Sequence, residues 1–84
     1  MGNYVYMLRC GDGSLYTGAT TDIAHRLAMH RSGKGAKYTR SRLPVELAYQ
    51  EETEDWSAAL CREAAIKRMS RTQKLALIAR GSHT

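Results

Sequence analysis

The stretch "NYVYMLRCGDGSLYTGAT", residues 3–20, narrows the possible folds more than any other part of the chain. Two runs of strand-forming residues flank Gly11, Asp12 and Gly13, and a short Gly/Asp connection of this kind turns one strand back beside its neighbour as a β-hairpin. Side chains alternate between faces along a strand, so Tyr4, Tyr6 and Leu8 share one face while Val5, Met7 and Arg9 share the other. A hairpin of this kind seeds a mostly antiparallel sheet, and the residues after it have to supply further strands and the cover for its faces.

Beyond the hairpin, "TTDIAHRLAMHRSGKG" carries Ile23 and Leu27 one helical turn apart, with Thr20 or Thr21 available as N-cap and Gly33 and Gly35 as stop signals. The spacing predicts a helix over about 21–31, with Arg26 and His30 on one face that is either solvated or turned into a cleft. The segment "SGKGAKYTRSRLP" is basic and glycine-containing without apolar periodicity, which predicts a cationic loop ending at Pro44. "VELAYQEE" alternates Val45, Leu47 and Tyr49 against Glu46, Ala48 and Gln50, a third strand with one buried face. Trp56, Ala59, Leu60, Ala64 and Met69 then recur at helical spacing behind Asp55 as N-cap, and Ser70 with Gln73 restarts a helix through a capping box. Two helices are therefore expected over about 56–69 and 71–79, with Trp56 and Met69 in the core. The predicted architecture is α+β: a small three-stranded, mostly antiparallel sheet flanked by helices in the order β-β-α-β-α-α. A single domain is expected, its core over about 3–79 and a tail at 80–84.

A chain of 84 residues has room for one small core. Its thirteen Lys and Arg against eight Asp and Glu give a formal net charge of +5, which favours polyanionic partners and makes nucleic acid the first of them. No apolar run reaches the length of a membrane span or a signal sequence, so no membrane association and a cytoplasmic location are expected. Cys10 and Cys61 lack metal-type spacing and are expected to be reduced, half-buried packing residues. The aromatic residues are five Tyr and one Trp with no Phe, an odd choice for a core built only for packing, since every phenol needs a polar partner when buried.

Taken singly, the polar residues have ordinary readings. A strand tyrosine packs its ring, Arg26 and His30 sit on a solvated helix face, and Glu63 with Lys67 forms an i, i+4 ion pair. Taken in order, Tyr4-Val5-Tyr6, Tyr16-Thr17-Gly18, Arg26, His30, Tyr38 and Glu63 resemble the GIY-YIG nuclease superfamily. The run "LYTGATTDIAHRLAMHRSGKGAKYTRSRLPVELAYQEE" together with "REAAIKRMSR" resembles more closely its short stand-alone members, and the resemblance covers roughly residues 3–79.

The resemblance implies phosphodiester hydrolysis in DNA, with RNA left open, in repair or processing. Tyr6 and Tyr16 then stand at the active centre, and Arg26 matches the family's helix arginine. His30 matches a position that is His or Tyr in relatives, and Tyr38 another polar ring position. Glu63 matches the acidic ligand of a single divalent ion, Mg²⁺ or Mn²⁺. These residue types suit the chemistry, because hydrolysis needs an activated water, stabilised transition-state charge and help for the departing alkoxide. A hard cation keeps several waters and needs only one or two carboxylates. Either Tyr6 or Tyr16 serves as base, the other orienting water or phosphate, while Arg26 clamps a phosphate oxygen and His30 assists proton transfer. Lys34, Lys37, Arg40 and Arg42 are the expected contacts to backbone phosphates, and Lys67 is expected to hold Glu63 in place. The chain departs from several relatives at Leu75, where they carry Asn, and from a repair branch at Ala19, where that branch carries Lys.

A second reading keeps the fold and basic surface as a nucleic-acid-binding module that cleaves little or nothing. Both readings predict salt-sensitive binding, but only the first predicts metal-dependent nicking that disappears in Glu63→Gln. Few elements remain to reach base edges, so structure-selective cleavage is expected over reading of a long sequence. The expected assembly is a monomer or weak homodimer, with a partner protein as a source of specificity.

Overall fold

A computed structural model describes residues 2–81. Asn3–Cys10 forms strand β1 and Leu15–Thr20 forms β2, antiparallel, with Tyr4 opposite Thr20, Tyr6 opposite Gly18 and Arg9 opposite Leu15. Gly13 closes the turn at φ 85, a conformation that costs an L side chain steric strain. The Asp12 carboxylate locks the turn by accepting from the Ser14 amide at 3.0 Å and from its hydroxyl at 2.6 Å.

Strand β3, Val45–Thr53, pairs antiparallel with the free side of β1, giving the sheet order β2-β1-β3. Met7 lies opposite Tyr49 while Leu8 lies opposite Leu47, so Ala48 is an extra residue in β3. That bulge corrects the expected strand pattern: Val45 and Leu47 face one side of the sheet and Tyr49 the other, because one inserted residue inverts the alternation beyond it.

Ile23–Arg31 forms helix α1. Its N-cap is Asp22, whose carboxylate accepts from the His25 amide at 3.0 Å, instead of either threonine. Thr20 acts one step earlier, its hydroxyl oxygen accepting from the Asp22 amide at 3.1 Å. The basic segment is not a plain loop, for Lys37–Arg40 makes a single helical turn, α2. Buried Thr39 fixes it by donating its hydroxyl proton to the Ala36 carbonyl at 2.9 Å. One turn is too short to reveal itself by apolar periodicity.

Trp56–Lys67 forms α3, capped as expected by Asp55, which accepts from the Ala58 amide at 2.7 Å. Arg71–Gly81 forms α4 behind the expected capping box, in which the Ser70 amide donates to Gln73 Oε1 at 2.9 Å and the Gln73 amide to Ser70 Oγ at 3.2 Å. α3 stops two residues earlier than its spacing predicted. α4 continues through residues expected in the tail, of which 82–84 lie outside the described residues.

The sheet is packed on both faces. Val5 and Met7 meet Ala59 and Ile66 of α3 and Leu77 and Ile78 of α4, while Tyr6, Leu8, Cys10 and Val45 form a second cluster against Ile23 and Leu27 of α1. Burying each large aliphatic side chain stabilises the fold by about 1.5–3 kcal/mol before entropy is subtracted. Met69 packs against the first cluster as expected, but Trp56 is 42% exposed and Leu60 45%. The reason is helical phase: at about 100° per residue, seating Ala59 and Ile66 on the sheet turns Trp56 and Leu60 onto the flank. Cys10 is buried and Cys61 exposed, both as free thiols. Among the described residues, no helix is long and apolar enough to cross a membrane.

Candidate active site

Tyr6 is buried at 2% exposure because β1 is the central strand and α1 lies over that face. Its approach to β2 depends on Gly18 directly opposite, where a Cβ would stand 2.6 Å from the Tyr6 hydroxyl oxygen. Tyr16, two residues before Gly18 on the same face, brings its ring centroid to 6.3 Å from that of Tyr6. From α1, His30 enters the gap at 0% exposure, 5.9 Å from the Tyr6 ring and 5.2 Å from the Tyr16 ring by centroid. Tyr38 of α2 covers Tyr16 from outside, with centroids 6.0 Å apart. Three tyrosines and the histidine expected from the sequence therefore form one continuous cluster.

Hydrogen bonding orders the imidazole. Tyr6 Oη lies 2.8 Å from His30 Nε2, and His30 Nδ1 lies 2.8 Å from Thr39 Oγ1. Thr39 spends its proton on the Ala36 carbonyl, so it accepts from Nδ1–H, which leaves Nε2 to accept from the Tyr6 phenol. A backbone carbonyl thus sets the tautomer through a threonine. Gly35 completes the pocket, since a Cβ there would collide with the His30 ring.

The charges follow from this burial. Desolvation raises the Tyr6 phenol above its usual value, the neighbouring Arg26 opposes that shift, and Tyr16 and Glu63 add to it. Burial lowers His30 below its usual 6.5, and the Arg26 charge lowers it further. The Arg26 guanidinium is itself held more firmly protonated, first by its interaction with the Tyr6 hydroxyl and also by Tyr16. At neutral pH the centre holds a neutral phenol, a neutral imidazole and a cation beside both.

Glu63 reaches this centre from α3, its charge acting on Tyr6 through space. Its carboxylate is 19% exposed and receives Lys67 Nζ at 3.2 Å, the pairing expected of that lysine. Glu51 and Asp55 are engaged elsewhere: Glu51 binds Arg62 Nε at 2.9 Å and the Tyr49 hydroxyl, and Asp55 caps α3. Among the described residues, no three of His, Cys, Asp and Glu gather in metal-binding fashion. The donor set at Glu63, one half-buried carboxylate, fits a hard divalent ion that completes its shell with water and a phosphate oxygen.

The basic residues expected at phosphates are divided. Lys34, Lys37 and Arg40 are exposed on or before α2. Arg42 has other work: its Nε donates to Asp12 Oδ2 at 3.1 Å, one Nη to the Tyr38 carbonyl at 2.9 Å, and its guanidinium carbon stands 3.9 Å above the Tyr38 ring. With the Gly11 amide donating to the Arg42 carbonyl at 2.7 Å, these contacts strap α2 to the hairpin turn and hold Tyr38 over Tyr16. Sequence reading missed Thr39, Gly35 and Asp12. A threonine and a glycine inside a basic segment give no signal until the histidine they touch is placed.

A twisted antiparallel sheet whose central strand presents a buried tyrosine to a helix arginine and histidine, with a lone acidic residue arriving from a later helix, is the arrangement of a GIY-YIG domain. Residues 2–76 match the family model described as the GIY-YIG catalytic domain, and the chain belongs to that family. Within it, the chain is similar to small proteins named UPF0213. The one from Streptococcus sanguinis is 60% identical over 75 residues, spanning 89% of this chain and 86% of that one. The one from Syntrophus aciditrophicus is 57% identical over 77 residues, spanning 90% and 88%. The solution NMR structure of the Bacillus halodurans UPF0213 protein superimposes with a TM-score of 0.61 at 46% identity, over 94% of this chain and 84% of that one. A second solution structure, from E. faecalis, gives 0.60 at 46% identity over 88% and 79%.

Proposed function

We propose that the protein is a structure-selective endonuclease that hydrolyses a phosphodiester bond of DNA, with Tyr6, His30, Tyr16 and Arg26 as the groups that meet the reacting phosphate or its water. The observation that carries this reading is the ordered chain from the Tyr6 hydroxyl through His30 and Thr39 to the Ala36 carbonyl. A neutral phenol at the end of such a chain accepts a proton from water while passing its own to Nε2, so no free phenolate has to form in a site that disfavours one. The resulting imidazolium keeps its Nδ1–H bond to Thr39. The water oxygen bonds to phosphorus, the bond to the leaving oxygen breaks, and that oxygen takes up a proton from solvent. Arg26 offsets the growing phosphate charge, and Tyr16, the more exposed phenol, orients the phosphate.

Glu63, steadied by Lys67, would hold one Mg²⁺ or Mn²⁺ ion, which when bound supplies Lewis-acid neutralisation of phosphate charge. Tyr38 shapes the outer wall of the site, and Lys34, Lys37 and Arg40 attract the backbone on either side. The work falls in DNA repair or processing, in one domain, with a partner protein contributing specificity.

The test is a panel of labelled duplex, flap, junction and single-stranded substrates with Mg²⁺ or Mn²⁺, comparing the native chain with Glu63→Gln. Metal-dependent cleavage of some members, absent in the variant, is expected. Salt-sensitive binding with no cleavage of any substrate would overturn the enzyme reading in favour of a binding module.

A further inference from the structure

Beside Tyr38 lies an open cleft of about 190 Å³ lined by Ser14 and Leu15 from the hairpin, Tyr38 from α2, and Arg71 and Lys74 from α4. At about 30 Å³ per water it has room for roughly six waters, hence for a phosphate group and part of its sugar. Three separate segments of chain meet there.

The placement of its two cations is unusual. At about 100° per residue, Arg71 and Lys74 lie on the same stripe of α4 as Leu75 and Ile78, which pack on the core. Cations kept only for solubility would sit on the outward stripe, at Thr72, Gln73 and Ala76, which is exposed. Lys74 is half-buried and Arg71 exposed, and among the described residues neither cation forms a salt bridge; the three ion pairs use Arg42, Arg62 and Lys67. Two cations without a counter-charge at one cleft attract an anion, which supplies the partner they lack. Ser14 has already given its hydroxyl proton to Asp12, so the positive character of the cleft comes from α4. Tyr38 lines this cleft and its ring also covers Tyr16, so the cleft adjoins the tyrosine–histidine centre.

We infer that this cleft is a second phosphate subsite, in which Arg71 and Lys74 hold a backbone phosphate flanking the scissile one while the adjoining sugar or base packs on Tyr38. The inference rests on the nuclease reading of the neighbouring centre. It assigns to α4 a role in gripping substrate, and it explains why Tyr38 is braced by Arg42 from behind. Arg71 is a bidentate donor for a phosphate and Lys74 a point charge beside it.

The test is binding of a fluorescently labelled DNA carrying a single-strand/duplex junction to the full chain in EDTA, followed by anisotropy over a range of salt concentrations. Arg71→Gln and Lys74→Gln keep most of each aliphatic stem, and Arg80→Gln removes an equal charge from the other end of α4; circular dichroism verifies that each variant is folded. The first two variants are expected to weaken binding several-fold and to reduce the slope of log affinity against log salt by about one each, with Arg80→Gln close to the native protein. If the native chain binds but all three variants behave alike, the subsite is wrong and the nuclease reading is untouched. If the native chain binds no DNA even at low salt, the nuclease reading fails and takes the subsite with it.

Discussion

The Tyr6 hydroxyl donates to Nε2 of His30 across 2.8 Å between two buried side chains, and the donor direction is fixed from the far side of the ring by Thr39. Two residues from different elements thus behave as one proton-handling unit. Phe at position 6 removes the donor without changing the ring, and Gln at position 30 removes the acceptor that receives the proton. Each variant is expected to slow cleavage by about 10²–10⁴-fold, and the double variant by little more than either. Tyr6→Phe also leaves Nε2 buried without a partner, costing about 1–3 kcal/mol of stability in urea titrations. Additive losses in the double variant would mean that the two groups act separately.

Gly18 is placed so that its missing side chain makes room for the Tyr6 phenol. In Gly18→Ala the new methyl group stands against the hydroxyl, and the ring, packed at 2% exposure, has nowhere to retreat. Overpacking of this kind costs about 1–3 kcal/mol. The displaced hydroxyl no longer reaches His30, so activity falls toward that of Tyr6→Phe while the sheet persists. Native-like activity in Gly18→Ala, measured beside its urea midpoint, would show that the close approach is unimportant.

Asp12 reaches Arg42 from the hairpin turn and thereby braces the helical turn that carries Tyr38. Asn at position 12 keeps an oxygen for the Ser14 amide but turns an amino group toward Arg42, so the turn survives while the strap is released. Amide hydrogen exchange over residues 37–40 is expected to speed up with that around residues 11–14 unchanged, and the Michaelis constant for DNA to rise. Equal protection in both proteins would mean that α2 is held by Thr39 alone.

The hairpin, the third strand and both late helices were legible because their signals are local: a Gly/Asp turn, an alternation, two side-chain caps. The ordered tyrosines, Arg26, His30 and Glu63 were legible through family resemblance, and the fold gathers them about Tyr6. What stayed hidden depends on contacts between segments distant in sequence. The bulge at Ala48 arises only when β3 is laid against β1, and it sends Tyr49 to the face where Glu51 and Arg62 bind. Arg42 looked like a free cation until Asp12 lay beside it. Thr39 resembled any surface threonine until its hydroxyl was found beside Nδ1 of His30.

Burial and the Arg26 charge hold His30 neutral below the usual imidazole value of 6.5, and this sets the sign of two pH effects. In the unfolded chain His30 gains its proton as pH falls through about 6.5, whereas the folded protein refuses it until a lower pH. Over that interval the unfolded state binds more protons, so the stability contributed by neutral His30 is complete above about pH 6.5 and drains away as pH falls. Urea midpoints of the native protein should therefore decline from neutral pH toward pH 5 more steeply than those of His30→Gln. Cleavage needs the same neutral ring as proton acceptor, so the acid limb of its pH profile should lie below 6.5, with activity persisting where an ordinary histidine would already be half protonated. An NMR titration of the His30 ring with its midpoint at or above 6.5 would contradict the burial-and-Arg26 account and remove the basis for both effects.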